Sequence, residues 1–411
     1  MTPFADLRRF GRPLTVFLIV ISIIMIGLVL VPELFGPGKT RDYPLWYRVG
    51  LRVWDGDALY DGFDFIYPPF AALFLALPAQ LGKVPLYVIL ALGNCLVLWL
   101  AVALARDLAT GRRQLAGWIE MLPPLMVVPQ IYENFDLGQP NILLLAAVLF
   151  GFRLLLADRP VFAGGVFAFA AAVKAFPITV LPWLLWRRHW KASASLVGFL
   201  AVFLVLAPAP FRGFDRNAAE LGQWVEAMMG TEDGFGQRET QNWSWKNQSV
   251  VAIVHRLTRP LDYLRVDGGD AQATMNLFDL SFGEANLVLL GVLAIFGIGF
   301  VAAMPPASAT TRKPFAEETA ILICLMTITS PLARSYYFIW LLYPVTVLLW
   351  RAVDDPRPLV RRRTWIALVA GAVLGGVTAS RTLQAHGNAT IASLLFIVVL
   401  AWHMRNPPPS G

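Results

Sequence analysis

The chain has 411 residues, of which 57% are hydrophobic and 15% charged, with a mean hydropathy of +0.59 and a formal net charge of +7. An ordinary soluble domain is about 25% charged and roughly 45–50% apolar. The lower charge and higher apolar content of this chain therefore exclude an ordinary soluble domain. Basic residues in a membrane protein mostly record its orientation, and the net charge therefore does not indicate a nucleic-acid partner. We predict an all-α polytopic membrane protein whose residues 1–411 form a single transmembrane domain.

The apolar runs of the chain predict its membrane helices. A run of about 18 or more predominantly apolar residues can cross a bilayer as an α-helix. The predicted spans are 14–32, 85–105, 117–132, 140–157, 192–208, 285–304, 317–333, 336–350, 364–381 and 388–403. With two shorter helices in 160–187, they give a bundle of about 12 membrane helices.

Residues 160–187 contain two apolar runs, VFAGGVFAFAAAV and FPITVLPWLLW, which meet at Lys174 and Pro177. At 1.5 Å per residue, a run of about 13 residues reaches roughly 20 Å, less than the roughly 30 Å of the hydrocarbon core. We predict a short helical hairpin whose tip is sunken below the outer surface. Segment 68–80 is also too short to span, and we expect it to lie in or dip into the outer interface.

The basic residues of the short loops predict the orientation of the chain. They include Arg8, Arg9, Arg12, Arg106, Arg112, Arg113, Arg187, Arg188, Lys191, Arg312, Lys313 and Arg361–Arg363. Since Lys and Arg in short loops stay on the cytoplasmic side, both termini are expected to be cytoplasmic. The two long hydrophilic segments, 33–67 and 209–284, then lie outside, and we expect the chemistry to face outward with them.

Asp42 lies shortly after the first apolar run and before the amphipathic stretch YPLWYRVG. One interpretation is structural: Asp42 is the N-cap, and Pro44 belongs to the first turn, of a short helix that lies on the membrane. The other is catalytic: a carboxylate at this depth acts as a general base toward an acceptor hydroxyl held in a cleft. The two are compatible, because a cap carboxylate can still face a cleft.

Asp55 and Asp57 stand in the stretch VWDGDALY. Many sugar transferases use an Asp-x-Asp pair to hold a divalent metal through oxygen ligands. Asp-Gly followed by Asp is also ordinary turn chemistry, so we expect a turn and no cofactor, with a divalent metal as the alternative. The aromatic and proline run Phe65–Phe70 that follows is expected to anchor the chain at the interface.

The stretch NFDLGQPNILLL, 134–145, begins a predicted span. Pro140 falls in the first turn, so the helix start offers backbone N–H groups and the positive end of its dipole to the outer side, an arrangement that suits an anion. Gln139 and Asn141 add polar side chains as candidate substrate-binding groups. The alternative is a helix start whose groups are satisfied by its own cap.

Lys174 is a lysine inside an apolar stretch. An ionisable residue within the membrane is expensive and is a functional candidate by default. At the tip of a sunken hairpin its ammonium group suits a phosphate. The competing interpretation is that the side chain snorkels to the surface.

Two further outer segments combine aromatic rings with amide or guanidinium groups. In 242–256 these groups suit a sugar ring, with an aromatic belt as the alternative, and in 330–344 an arginine at the end of a span suits an anion. The candidate residues are Trp245, Asn247, Gln248 and Arg256 in the first segment, and Arg334, Tyr336 and Tyr337 in the second.

Several of these segments, in this order, resemble glycosyltransferase family 87, whose members use polyprenyl-phosphate sugars. The similar segments are Asp42 after the first span, DALY…YPPFAALF at 57–74, GQPN at 138–141, AGGVFAFAAAVKAFP at 163–177, NQS at 247–249 and SPLARSYYFIWLLYP at 330–344. Together they run from about residue 40 to residue 350, most of the chain.

The resemblance implies a GT-C fold, a membrane bundle with its active site on the outer face, and inversion at the anomeric carbon of a lipid-linked sugar. It also implies that Asp42 is the general base and that Lys174 lies near the donor phosphate. Many members carry a His pair where this chain has Tyr336 and Tyr337, so the role of that pair does not transfer. A phenol does not titrate near neutral pH.

We therefore predict an inverting glycosyltransferase of a bacterial plasma membrane. It would move a sugar, most simply mannose, from a polyprenyl-phosphate donor to a hydroxyl of a glycolipid or glycan acceptor. One alternative is a polysaccharide ligase or polymerase that uses a lipid-pyrophosphate donor. A twelve-span transporter is disfavoured, because transporters commonly have matched halves and the two halves of this chain do not look alike.

Overall fold

The computed structural model of the protein describes residues 10–35, 42–60, 65–111, 117–229, 242–265, 272–304, 312–378 and 380–406. Within these ranges helices make up 80% of the residues, and no strand is present. The predicted all-α class is confirmed. Some predicted features lie outside the described residues: Arg8, Arg9, Arg112 and Arg113, the side chains of Arg312 and Lys313, and parts of the segments 33–67 and 209–284.

The structure has nineteen α-helices in the described residues. In chain order they are α1 Arg12–Phe35, α2 Tyr43–Asp55, α3 Pro69–Gln80, α4 Lys83–Thr110, α5 Leu122–Met126, α6 Val128–Leu137, α7 Asn141–Leu156, α8 Pro160–Val173, α9 Val180–Trp186 and α10 Trp190–Ala201. They continue with α11 Ala209–Arg212, α12 Phe214–Met229, α13 Val250–Thr258, α14 Phe282–Ala303, α15 Arg312–Ile328, α16 Leu342–Asp354, α17 Pro358–Gly376, α18 Arg381–Ala385 and α19 Asn388–Arg405. Short 3₁₀ segments are Ile119–Met121, Phe176–Thr179 and Ser335–Leu341, and Val202–Leu206 is a π segment.

The chain divides into two compact units. The first comprises residues 1–104, 114–121 and 131–235, and the second 105–113, 122–130 and 236–411.

Six helical stretches of the described chain are long and apolar enough to cross a membrane. They are Arg12–Pro32, Lys83–Thr110, Trp190–Arg212, Phe282–Ala303, Ser335–Asp354 and Asn388–Arg405, and α6 with α7 makes a seventh if that bent pair counts as one span. The chain is therefore a multi-pass membrane protein, and the predicted number of about 12 helices is not confirmed.

One predicted span is broken rather than continuous. Instead of a single helix over 117–132, the structure has the 3₁₀ turn Ile119–Met121, the five-residue helix α5 and the start of α6. The physical reason lies in Pro123 and Pro124, since proline lacks the N–H that a helix interior needs and its ring clashes with the preceding turn.

The predicted interruption near Lys174 is present. Helix α8 ends at Val173, and Lys174 takes an extended conformation with φ −153° and ψ 121°. A 3₁₀ turn at Phe176–Thr179 then leads into the seven-residue helix α9. Helix α3, at 12 residues, is also short, as expected. How deeply these segments lie in a membrane, and which side the termini face, stay predictions.

Helix α2 packs closely on α3 in the first unit. Its buried face carries Tyr43, Trp46, Val49 and Val53, the one-sided apolar pattern of an amphipathic helix. A Cβ on Gly50 would lie 2.6 Å from the carbonyl oxygen of Leu75, so only glycine permits this approach. The contact holds α2, which begins directly after Asp42, against α3.

Helix α8 packs along α7 and α10 through small residues. It is rich in alanine and glycine, and a Cβ on Gly164 would overlap the backbone of α10 at Ala192. Small residues let membrane helices approach closely without relying on a hydrophobic driving force. The packing holds the C-terminal end of α8, and therefore Lys174, against the start of α7.

In the second unit, polar side chains join neighbouring helices within apolar surroundings. Arg351 on α16 donates through Nε to Glu317 Oε1 on α15 at 2.5 Å. Thr364 on α17 and His403 on α19 lie 2.9 Å apart through Oγ1 and Nε2. Such hydrogen bonds between helices satisfy polar groups that lipid cannot.

Candidate functional site

The turn between α6 and α7 builds the first part of the site. Helix α6 ends with Gly138 at φ +65°, and the amides of Gly138 and Gln139 donate to the carbonyls of Phe135 and Asn134 at 3.2 and 2.9 Å. This pair of bonds is the Schellman ending of a helix, which requires a left-handed residue. The chain then bends by 117° into α7, and the bend turns Gln139 and Asn141 inward.

Gly138 is required for a second reason. A Cβ at this position would lie 2.9 Å from the ring of Tyr43 and 3.2 Å from Nε1 of Trp46, both on α2. Tyr43 also donates its hydroxyl to the carbonyl of Phe135 at 2.6 Å. The glycine therefore lets the start of α2 contact the α6–α7 turn directly.

Asp42 precedes the first residue of α2, but its side chain makes no cap hydrogen bond to that helix. Asp42 therefore occupies the N-cap position, with Pro44 in the first turn as predicted, but its carboxylate does not cap the helix. Asp42 Oδ2 instead accepts a 2.6 Å hydrogen bond from Nε2 of Gln139. The hydroxyl of Tyr67 donates in turn to Oε1 of Gln139 at 2.7 Å.

Lys174 joins the same group of residues. It is only 7% exposed, so the snorkelling interpretation is wrong. Its Nζ donates to Oδ1 of Asn141 at 3.2 Å, and Asn141 donates to Oδ1 of Asn134 at 3.2 Å. Nζ also lies 5.2 Å from the centre of the Tyr67 ring, a cation–π distance. Tyr67 is therefore in contact with both the lysine and the glutamine that holds Asp42.

An apolar cavity of about 330 Å³ adjoins this group. Its wall consists mainly of aliphatic and aromatic side chains from α3 and α4 and the start of α7. Gln139 and Tyr67 contribute polar groups to it. The lining residues include Trp46, Phe65, Phe74, Leu75, Ile89, Leu90, Val97, Pro140, Leu143 and Val173. A lipid chain fits such a wall better than a sugar, because the wall offers few hydrogen-bond partners.

Two residues of this site, Tyr67 and Asn134, were not identified from the sequence. The run Phe65–Phe70 was expected to anchor the chain at the interface, yet Phe65, Tyr67 and Phe70 are 1%, 5% and 8% exposed. That expectation is wrong, because the rings pack inside the first unit. Tyr67 stands within the family-like segment YPPFAALF, which was the available signal, whereas Asn134 lies four residues before the family-like GQPN at 138–141.

Asp55 and Asp57 lie in the turn that ends α2 and are exposed. Gly56 between them has φ +72°, and the Asp57 amide donates to the carbonyl of Arg52 at 3.0 Å. The structure therefore supports the turn interpretation. Among the described ranges, no cluster of three or more His, Cys, Asp and Glu side chains has metal-binding geometry.

Asn247, Gln248 and Arg256 belong to the second unit and are at most 2% exposed. Arg256 donates to the carbonyls of Ser244, Asn247 and Ala385. Asn247 donates to two carbonyls and accepts from the amides of Ser249 and Ala333, and Gln248 accepts from the amide of Ala389. These bonds hold the segment around α13 in place. For these three side chains the structure supports a role in folding rather than in sugar binding.

The other candidate residues of the second unit have aromatic or basic neighbours. Trp245 is half-buried, with Lys246 Nζ 5.2 Å and the Arg381 guanidinium 5.8 Å from its ring. Tyr336 and Tyr337 are 6% and 3% exposed, with ring centres 5.2 Å apart, and follow the partly exposed Arg334.

Comparison with known proteins adds two matches. The family model described as "Glycosyltransferase family 87" matches residues 65–333, a range that includes Tyr67, Gln139, Asn141 and Lys174 and begins after Asp42. A curated relative from Mycolicibacterium smegmatis, named "Polyprenol-phosphate-mannose-dependent alpha-(1-2)-phosphatidylinositol mannoside mannosyltransferase", is 26% identical over 387 residues, which cover 85% of this chain and 77% of the relative. No solved structure gives a significant match.

Proposed function

The chain belongs to glycosyltransferase family 87 and is a membrane glycosyltransferase, and on that premise we propose that it transfers mannose from a polyprenol-phosphate donor to a hydroxyl of a glycolipid. The name of the Mycolicibacterium smegmatis relative supports the donor and suggests a phosphatidylinositol mannoside as the acceptor. Membership in an enzyme family leaves the transporter alternative without support. The proposed architecture is a GT-C bundle in a bacterial plasma membrane, with both termini cytoplasmic and the active site outside.

One observation carries the proposed chemistry: a carboxylate and a buried lysine are linked through one tyrosine beside an apolar cavity. Gln139 holds Asp42 at 2.6 Å, and Tyr67 contacts both Gln139 and Lys174. The arrangement offers a proton acceptor, a positive charge and a place for a hydrocarbon chain within one unit. These are the three groups that transfer from a lipid-linked phosphate sugar needs.

Lys174 and the cavity are proposed to bind the donor. Lys174 Nζ contacts the Asn141 side chain and one face of the Tyr67 ring, close to the polar end of the cavity. A phosphate placed there would make charge-assisted hydrogen bonds, which are stronger than neutral ones. The first isoprene units of the lipid would then occupy the cavity lined by Phe74, Leu75 and Leu143.

Asp42 is proposed as the general base. The acceptor oxygen attacks the anomeric carbon and forms the new glycosidic bond, while its proton passes to Asp42. The bond between that carbon and the phosphate oxygen breaks, and its electron pair leaves with polyprenyl phosphate. Attack opposite to the leaving group inverts the anomeric centre. A positioned base contributes about 10²–10⁴-fold to such a rate.

The experiment uses the purified full chain in lipid vesicles, with radiolabelled polyprenol-phosphate mannose and a panel of phosphatidylinositol mannosides and soluble glycans. Transfer to a glycolipid is the expected result, and chelator is expected to leave the rate unchanged. Transfer only from a polyprenyl-pyrophosphate sugar would favour the ligase or polymerase alternative.

Asp42→Asn tests the base in the same assay, with an expected loss of about 10²–10⁴-fold. The matched control is Asp158→Asn, an exposed position at φ +55° that asparagine tolerates as well as aspartate. Near-normal transfer by a folded Asp42→Asn protein would overturn the assignment of the base. A rate loss in both variants would point to expression or insertion instead.

A further inference from the structure

The hydrogen bonds that run from Tyr67 through Gln139 to Asp42 have a fixed direction. An ionised carboxylate only accepts hydrogen bonds, so the Gln139 amide must turn its NH₂ group toward Asp42. Its oxygen is then left facing Tyr67, and the phenol must donate to it. The orientation of this amide is assigned from its two neighbours, because the oxygen and nitrogen ends of an amide have the same shape and are told apart by their hydrogen-bond partners.

We propose that Tyr67 is a positioning residue for the reaction: its hydroxyl holds the Gln139 amide in the orientation that stabilises the ionised Asp42 carboxylate. This inference rests on the proposed function, in which Asp42 takes the proton of the acceptor. Tyr67 acts on Asp42 only through Gln139.

The position of the Tyr67 hydroxyl is itself well determined. The Tyr60 hydroxyl donates to the backbone carbonyl of Tyr67 at 2.7 Å, and the ring of Trp46 packs edge-on against the Tyr67 ring at 5.1 Å. Burial, together with the negative charge of Glu220, raises the pKa of Tyr60, so that phenol stays a hydrogen-bond donor. Lys174 occupies one face of the Tyr67 ring. The phenol can therefore hold Gln139 without moving.

Without that hydroxyl, the Gln139 amide is no longer fixed. A reversed amide presents its oxygen to Asp42, which repels an ionised carboxylate and accepts a hydrogen bond from a protonated one. The protonated form of Asp42 would then persist to higher pH. Because only the ionised form accepts the acceptor's proton, the acid limb of the activity profile would move upward.

Other titratable groups lie on the elements packed around the start of α2. Helix α2 contributes Tyr43 and Arg48, α4 contributes Lys83 and Tyr87, α6 contributes Asp136, and Lys174 follows α8. None of them is changed in the variants below, so the comparison isolates the hydroxyl.

The experiment measures kcat against pH for the wild-type chain and Tyr67→Phe in vesicles. Phenylalanine keeps the ring beneath Lys174 and the packing with Trp46. We expect the acid limb to move up by about one pH unit, so that kcat below the limb falls by a larger factor than kcat above it. A fall by the same factor at every pH would overturn the proposal, because a merely structural role predicts that pattern.

Tyr60→Phe is the matched control. It removes a buried phenol of the same segment that reaches Tyr67 only through its backbone carbonyl and does not contact Gln139, so a smaller shift of the limb than in Tyr67→Phe is expected. Gln139→Met is the second variant and should move the limb as Tyr67→Phe does. In the double variant the tyrosine change should add nothing further, since coupled residues are non-additive. An additive shift would contradict action through Gln139.

Failure of this inference is distinguishable from failure of the proposed function. If Asp42→Asn is inactive and the wild type is active, but Tyr67→Phe leaves the limb in place, only the role of Tyr67 is wrong. If Asp42→Asn stays active, the base assignment fails first.

Discussion

Lys174 Nζ lies 3.2 Å from Oδ1 of Asn141, a residue 33 positions earlier in the chain. The bond joins the end of α8 to the first residue of α7, and both side chains are at most 7% exposed. A buried polar group needs hydrogen-bond partners, and the packing of α8 on α7 brings these two side chains within hydrogen-bond distance. The positive charge of Lys174 is therefore held at a fixed place beside Tyr67.

Removing that charge should weaken use of the donor. For Lys174→Met we expect kcat/KM for polyprenol-phosphate mannose to fall by roughly 10–100-fold, the equivalent of one hydrogen bond to a charged group at about 1.5–3 kcal/mol. KM for the acceptor should change little. The exposed Lys191→Met is the control. A rise in the acceptor KM instead would place the lysine at the acceptor.

Gly138→Ala should disrupt the site by straining the turn between α6 and α7. Alanine at φ +65° costs about 1–2 kcal/mol in backbone strain, and its methyl group would lie 2.9 Å from the Tyr43 ring. We expect a lower Tm and a large loss of transfer activity, since the turn positions both Gln139 and Asn141. Gly198→Ala, within α10 where a Cβ meets nothing within 4 Å, should be near neutral. Equal effects of the two changes would contradict this account.

Arg212 holds the end of α2 to the segment that follows α10. Its guanidinium pairs with Glu220 and donates to the carbonyls of Arg52 at 3.0 Å and Asp57 at 2.6 Å. Removing one member of a buried ion pair costs about 3–5 kcal/mol, because the other charge is left buried. Arg212→Met should therefore lower Tm clearly.

The control for Arg212 is Arg216→Met, which touches the same Glu220 at 3.4 Å from a side chain that is 40% exposed. Exposed ion pairs contribute about 0–1 kcal/mol, so its Tm should barely change. If the two variants unfold at the same temperature, Arg212 does not hold this segment.

His255 should make stability depend on pH. Its ring lies 4.4 Å from Trp243 and 5.3 Å from Phe282, and burial, with the nearby Arg259 guanidinium, lowers the pKa of His255 to about 4. In the unfolded chain the pKa of histidine is about 6.5. Between these values the unfolded state binds the extra proton, so the free energy of unfolding falls as pH falls from about 6.5 to 4.

The measurement is Tm of the purified protein at pH 7.5 and pH 5 in one detergent. His255→Phe keeps the stacking and removes the proton, so it should reduce the difference between the two temperatures. His386→Phe changes an exposed histidine and should leave it intact. An unaltered difference in His255→Phe would mean that other groups carry the pH dependence.

The sequence predicted the features that depend on local composition. Long apolar runs indicated a multi-pass membrane protein, because each backbone group in lipid must be satisfied within its own helix. The interruption at Lys174 and Pro177 was also predictable, because the two apolar runs that meet there are each too short to span a membrane. The predicted number of about 12 membrane helices is not confirmed, and the paired prolines after Met121 break the apolar stretch 117–132, which was predicted as one helix.

Residue chemistry also identified Asp42, Gln139, Asn141 and Lys174 as candidates, since charged and amide groups stand out in an apolar chain. Their partners were a matter of tertiary structure. Capping of its own helix was one of two interpretations for the Asp42 carboxylate, which in the structure accepts a hydrogen bond from a side chain 97 positions away. The amides and guanidinium around α13 looked like sugar ligands and are hydrogen-bonded to the backbone instead.

The sequence by itself determined the class of the protein and the order of its family segments, because hydrophobic run length and residue identity act locally. Only the tertiary structure decided that Tyr67 stands between Gln139 and Lys174, and that an apolar cavity adjoins them. The physical reason is that a hydrogen bond depends on distance and direction between groups. Those are set by the packing of helices far apart in the chain.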